Sequence, residues 1–198
     1  LSYIAGMKIV LATQNPNKRK ELLEMLPDHY QILSPLEVNW TEPIAETGDT
    51  LRANALIKAK TLSDHSGYPA LADDSGLLVD ALRGAPGVYS ARYAGEGATD
   101  QDNMAKLLRE MAGKPNRKAH FETVLAFVDG GSVHYFSGQV HGHIGEQPRG
   151  QNGFGYDPLF IPEGHDQSFG QLPAETKKSL SHRSQALKAF LAFIQTKE

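Results

Sequence analysis

The chain has 198 residues, 40% of them apolar, no cysteine and a formal net charge of −3. That length supports one substantial core and is short for two domains. The charge argues against a general nucleic-acid binder, which needs a basic surface to displace counterions, and the missing thiols exclude a disulfide framework and a thiolate metal site.

No apolar run has the length needed to cross a bilayer. The start, LSYIAGMKIV, lacks the charged segment and long apolar core of a signal peptide. Met7 stands just ahead of a clean strand, so Leu1–Gly6 reads as a leader or remnant before a domain running from Met7 to Glu198, and the cytoplasm is the expected location.

Lys8–Thr13 (KIVLAT) is a short apolar run that predicts a buried strand. Asn15-Pro16 then opens NKRKELLEML, where asparagine as cap and proline just inside the helix are start signals. Tyr30–Leu33 predicts a second strand and Thr41–Asp49 a polar loop. Thr50–Ser63 predicts a helix, with Leu51, Ala55, Ala59 and Leu62 near one face. Leu71–Ala72 and Leu77–Val79 are expected as short strands flanking Asp73-Asp74.

Arg83–Gly97 is expected as a glycine-rich loop and Thr99–Met111 as a helix capped by Thr99 or Asp100. Ala119–Val128 and Val133–Val140 read as a hairpin around Asp129-Gly130-Gly131. Gly145–Gly155 is a second glycine-rich loop, Asp157–Ile161 a short strand, and Ser181 onward an amphipathic helix. The mixture predicts an α/β fold: a single domain with a mixed, twisted β-sheet flanked by helices, and a central cleft.

Four groups of residues carry potential chemistry. Thr13, Gln14, Asn15, Pro16, Asn17 and Lys18 join a strand to a helix N-terminus, where amide groups and the helix dipole favour an anion such as phosphate. A plain capped helix is the alternative, and no Walker loop is present. Asp73-Asp74 with Glu46 supplies hard oxygen ligands suited to Mg2+ bridged to phosphates; the alternative is that one aspartate caps a turn before Ser75-Gly76. Phe154, Gly155, Tyr156 and Asp157, inside QNGFGYDP, offer aromatic faces for a flat base, unless the rings close the core. Lys177, Ser181, His182 and Arg183 form a cationic group. His182 and Arg183 in a first helical turn oppose the dipole, and such local violations concentrate at functional sites. His141-Gly142-His143 has a metal-compatible spacing without an evident third ligand.

Together these stretches resemble the inosine triphosphate pyrophosphatase family, the dITP/XTP pyrophosphatases. The matching pieces are LATQNPNKRKEL, AETGDTLRANALIKAK, ALADDSGLLVDAL, GAPGVYSARYAG, NGFGYDPLF and KSLSHRSQALK, in the family's order from Lys8 almost to the end. The resemblance implies Mg2+-dependent hydrolysis of ITP, dITP and XTP to the monophosphate and pyrophosphate by a homodimer. It implies that Thr13–Lys18 hold the triphosphate and that Glu46 and Asp74 bind Mg2+, with Asp74 also accepting the proton. Ser75, Phe154–Asp157, Lys177, His182 and Arg183 would contact nucleotide. Thr176-Lys177-Lys178-Ser179 departs from the family's usual Glu-Lys-Asn; Lys177 keeps the expected distance to His182, with Lys178 as a competitor for its role. A Maf-type nucleotide pyrophosphatase is the alternative enzyme, although its first motif has a Ser-x-Arg-Arg character absent here. A non-catalytic nucleotide-binding module is the alternative outside enzymes, against which Lys18, Glu46 and Asp74 speak.

Overall fold

The first apolar run is buried on both faces, and the strand it forms organises half the molecule. A computed structural model describes residues 6–196; of the expected leader, residues 1–5 lie outside them. Six strands form one mixed sheet in the order β2-β1-β3-β4-β5-β6. They are β1 (Lys8–Leu11), β2 (Gln31–Leu33), β3 (Ala70–Val79), β4 (Lys118–Asp129), β5 (Ser132–Ile144) and β6 (Phe160–Pro162). The helices are α1 (Pro16–Leu23), α2 (Leu51–Ser66), α3 (Asp100–Glu110), α4 (Ala174–Leu180) and α5 (His182–Gln195). This is the α/β class with a mixed sheet that the sequence predicts.

The chain divides into two compact units. The first holds the residues up to Asp74, 124–136, and those from Ala186 onward. Here β1 pairs in parallel with β2 (Ile9 opposite Ile32) and with β3 (Val10 opposite Ala70). Parallel neighbours require crossover connections, which α1 and α2 supply. Side chains alternate across a strand. Ile9 and Leu11 accordingly join Leu22, Leu71, Phe127, Leu187 and Phe190 in one core. Val10 and Ala12 join Ala55, Ala59 and Leu62 of α2, with Ala70, Ala72 and Val128, in another. Small residues on that second side let α2 lie close to the strands.

The second unit comprises 75–123 and 137–185. Strands β5 and β6 are antiparallel (His143 opposite Ile161), and Leu77, Leu107, Met111, Phe121, Ile144, Phe160 and Phe169 form its core. Helix α3 begins with a capping box: Thr99 Oγ1 accepts the Asp102 N–H, and Asp102 accepts the Thr99 N–H. Between β4 and β5, Gly130 and Gly131 both have positive φ (54° and 85°), as a tight hairpin turn demands.

Three expectations need correction. No break separates Leu71–Ala72 from Leu77–Val79: β3 runs unbroken through Asp73, Asp74, Ser75 and Gly76, so neither aspartate caps a turn there. The expected strand Asp157–Ile161 shrinks to Phe160–Pro162, because Tyr156–Leu159 turns back on itself through Leu159 N–H and Phe160 N–H bonds to the Tyr156 carbonyl. Within the expected loops lies a 3-10 helix, Gly87–Arg92, and helix α4 precedes the C-terminal helix.

The first core makes a simple test. Phe190 is fully buried, with its ring centroid 5.1 Å from that of Phe127 and 5.6 Å from that of Phe136. Phe190→Ala is expected to cost about 3–5 kcal/mol, read as a lower urea midpoint with an unchanged slope.

Candidate active site

In the first unit, two ammonium groups meet three carboxylates. Strand β3 carries two buried aspartates, Asp73 completely and Asp74 with 4% exposure. From the first turn of α1, Lys18 Nζ reaches within 3.4 Å of Asp73 Oδ2 and 3.8 Å of Asp74 Oδ1. From α2, Lys58 Nζ lies 2.6 Å from Glu46 Oε1 and 3.6 Å from Asp74 Oδ1. Asn54, one helical turn before Lys58 and fully buried, donates Nδ2–H to Asp74 Oδ2 at 3.3 Å.

Burial dominates the titration of Asp74. Desolvation pushes its carboxyl above the ordinary aspartate value, although Lys58 and Lys18 pull it down. Burial also opposes the charge on Lys58, but Asp74, Asp73 and Glu46 together outweigh it and raise the ammonium above its usual value. A carboxylate that holds its proton more readily than usual is suited to take one from water.

The strand-to-helix loop realises the capped-helix alternative in part. Asn15 Oδ1 accepts the N–H groups of Asn17 and Lys18 at 3.0 and 3.1 Å. Gln14 donates Nε2–H to the Glu42 carbonyl at 3.3 Å. Thr13 is buried, while Gln14, Pro16 and Asn17 are exposed. The positive charge at this loop comes from the helix dipole and from Lys18, whose ammonium faces the acidic pair.

The remaining sequence candidates gather in the second unit. Lys177 Nζ is 2.7 Å from Asp157 Oδ2 and 4.9 Å from the centre of the Phe154 ring. Arg183 Cζ lies 5.8 Å from the same ring, and its Nη2 donates to Ser75 Oγ at 3.1 Å. The His182 imidazole stacks on Phe121, 5.0 Å between centroids and 10° between planes. His182 and Arg183 are buried, and Ser181 Oγ accepts the Ser184 N–H at 3.1 Å as the cap of α5. Between the two lysines, it is the Lys177 ammonium that reaches Asp157 and Phe154.

The two rings of the NGFGYDP segment have different fates. Tyr156 closes the core: it is buried, it donates its hydroxyl proton to the Ser90 carbonyl at 2.8 Å, and burial raises its phenol well above the usual value. Phe154 stays half-exposed. Asp157 accepts the Phe154 N–H at 2.8 Å besides pairing with Lys177, so it holds the loop and the lysine together. Gly153 has φ +77° and no room for a Cβ against that carboxylate. Gly155 donates its N–H to Asp100 Oδ2 at 2.7 Å.

His141 and His143 are exposed; His141 faces His120, 5.3 Å between ring centroids. Among the described residues, no group of three or more His, Cys, Asp or Glu stands together as a metal cage. Glu46 and Asp74 still fit a cation that takes one or two carboxylates and completes its shell with water and phosphate, as Mg2+ does. Both are drawn towards one positive centre by Lys58.

Sequence reading missed Asn54, Lys58 and Thr123. The first two had a signal: with Leu51, Ala55, Ala59 and Leu62 they share the buried stripe of α2, where polar residues demand partners. Thr123, fully buried, meets Ser75 Oγ at 2.7 Å; it sits on an alternating strand with nothing local to mark it.

A group whose proton is held more tightly in the folded state adds stability at low pH and loses it as pH rises through the folded pKa. Asp74→Asn is thus expected to melt above the parent at neutral pH in metal-free buffer. The gap should close as pH falls below the ordinary aspartate range, about 3.9. Melting curves across that range check both the sign and the window.

The chain is similar to known proteins along almost its whole length. Residues 9–193 match the family model described as the Ham1 family. The dITP/XTP pyrophosphatase of Christiangramia forsetii is 44% identical over 188 residues, covering 95% of this chain and 99% of that protein. The dITP/XTP pyrophosphatase of Bacillus subtilis is 45% identical over 183 residues, covering 90% and 92%. The Ham1 protein of Staphylococcus aureus superposes with a TM-score of 0.90 at 36% identity, covering 96% of this chain and all of that one. For a HAM1 protein from Coxiella burnetii the TM-score is 0.89 at 40% identity, over 97% of this chain. Matched in sequence and fold along almost its whole length, the chain belongs to the Ham1 family.

Proposed function

We propose that this chain hydrolyses ITP, dITP and XTP to the nucleoside monophosphate and pyrophosphate, removing deaminated purines from the nucleotide pool. The observation that carries this is the cluster in which the partly exposed Lys18, Lys58 and Glu46 meet the buried Asp73 and Asp74, in a chain whose close relatives are named dITP/XTP pyrophosphatases. The same resemblance supports a cytoplasmic homodimer formed by a domain spanning Met7 to Glu198. No described helix is long and apolar enough to cross a membrane.

In the reaction, a water oxygen attacks the α-phosphorus, the bond from that phosphorus to the bridging oxygen breaks, and pyrophosphate leaves. Asp74 takes the water proton, a role suited to its burial-raised carboxyl. Glu46 and Asp74 would hold Mg2+, which when bound supplies Lewis-acid charge stabilisation and a more acidic water. Lys18 and the dipole of α1 stabilise charge on the departing pyrophosphate. Lys58 keeps Glu46 and Asp74 turned to one side when no phosphate is present. No side-chain nucleophile is needed, because positioning and electrostatics suffice for phosphoryl chemistry.

Base choice falls to the second unit. Phe154 offers a half-exposed ring for stacking. Lys177, His182 and Arg183 are donors, and a purine 6-oxygen accepts from them where the adenine amine does not. Buried donors left unpaired penalise the wrong base. Ser75, between Arg183 and Thr123, holds the arginine's orientation.

Pyrophosphate release with Mg2+ and dITP, set beside dATP and dGTP, tests the assignment. A clear preference for dITP is expected, and equal rates on all three would end the reading. Asp74→Asn should nearly abolish turnover while still folding; near-normal turnover removes Asp74 from the chemistry. Arg183→Ala should lower kcat/KM for ITP and XTP about tenfold to a hundredfold, the worth of a charged hydrogen bond of about 1.5–3 kcal/mol. ATP, whose 6-position carries an amine, should change much less, GTP should lose as the other 6-oxo purines do, and Arg183→Lys should rescue little, because a point charge does not reproduce a planar fork. Equal losses on all four nucleotides would assign Arg183 to phosphate or to bracing α5.

A further inference from the structure

Two polar side chains interrupt the buried stripe of α2, and charge pairing accounts for only one of them. The other is Asn54, which has no exposed surface. Its Oδ1 accepts the Gly48 N–H at 2.8 Å, and its Nδ2 donates to Asp74 Oδ2 at 3.3 Å. The acceptor at one end must face an N–H, so the donor end must face the carboxylate; the orientation of the amide follows from its partners.

Gly48 lies two residues beyond Glu46, on the same loop. A Cβ there would stand 2.7 Å from Asn54 Oδ1 and 2.7 Å from Ala53 Cβ. The loop approaches α2 this closely only because residue 48 has no side chain. Thr50 then anchors the next turn by accepting the Ala53 N–H at 3.1 Å. At the other end of the carboxamide, Asp74 Oδ2 meets Asn54, while Oδ1 is the oxygen nearer Lys58 and Lys18, at 3.6 and 3.8 Å.

We propose that Asn54 is a positioning residue whose carboxamide joins the Glu46 loop to Asp74, setting the spacing of the two carboxylates and turning Asp74 Oδ1 towards the cationic side. This rests on the proposal that Glu46 and Asp74 hold the divalent cation. A fully buried amide has no water to fall back on, so both bonds persist or both groups go unsatisfied. Residues that orient ligand carboxylates typically change metal affinity about tenfold to a hundredfold when removed.

The test is Mn2+ binding to the nucleotide-free protein, followed by loss of the free-ion EPR signal, with kcat and KM for dITP measured at saturating metal. Asn54→Leu removes both bonds; Gly48→Ala breaks the loop bond from the other side and leaves the carboxamide in place. Both should weaken Mn2+ binding by about tenfold or more, and both should lower kcat with KM for dITP largely held. A fall in melting temperature with unchanged Mn2+ affinity would make Asn54 a core residue only and overturn the proposal. Should Asn54→Leu fail to fold, NMR of the unaltered protein decides: the Gly48 amide and the Asn54 side-chain amide should shift along one isotherm as Mg2+ is added, and resonances that stay still overturn it. If the parent binds Mn2+ in this manner yet releases no pyrophosphate, the assigned reaction fails while the role of Asn54 stands. Pyrophosphate release with no effect of either variant on Mn2+ binding overturns the role of Asn54 alone.

Discussion

Two adjacent aspartates inside an interior strand are the constraint around which the first unit is arranged. A buried carboxylate is costly unless charge and hydrogen bonds meet it. Asp73 and Asp74 are almost wholly out of contact with water, at 0% and 4% exposure. The chain answers with Lys18 from α1, Lys58 and Asn54 from α2, and small residues that let α2 come near. Compensation is incomplete, since burial still lifts Asp74 above its usual pKa. A site left slightly too negative suits a divalent cation.

The second unit handles the opposite charge with aromatic faces. Cationic groups sit buried near the start of α5, against the helix dipole. Ring contacts offset part of that penalty: His182 stacks on Phe121, and both Lys177 and Arg183 lie over Phe154. Asp157 and Ser75 supply the hydrogen bonds. The aromatic core of Phe121, Phe160 and Phe169 thus supports the imidazole as well as the fold. Packing and the placement of the cationic side chains depend on the same rings.

Much of this was legible in the chain. Asn15-Pro16 marked the start of α1, Asp129-Gly130-Gly131 marked the hairpin, and the stripe of Leu51, Ala55, Ala59 and Leu62 marked α2. His182 and Arg183 stood out as charges that the helix dipole disfavours, and Lys18, Asp74 and Lys177 as charged members of the candidate groups. Strand β3 was misread as two pieces, because Asp-Asp-Ser-Gly carries low strand propensity. The strand nevertheless runs on through these four residues, so tertiary context overrides the local preference. Tyr156 and Phe154 could not be told apart by sequence, because either ring would fill a core and either would stack on a base.

By itself the sequence determined the class of fold, the elements with strong periodicity and the chemical character of the site: acids and lysines in the first half, aromatics and cations in the second. These follow from residue type and short-range spacing, which local physics reads directly. Tertiary structure decided which oxygen of Asp74 faces which partner, that Lys58 and Asn54 belong with it, and that Thr123 meets Ser75 across 48 positions of chain. Such pairings depend on which strands lie side by side and on helix approach distances set by residues as small as Gly48. That information is shared among distant segments and appears only when they pack.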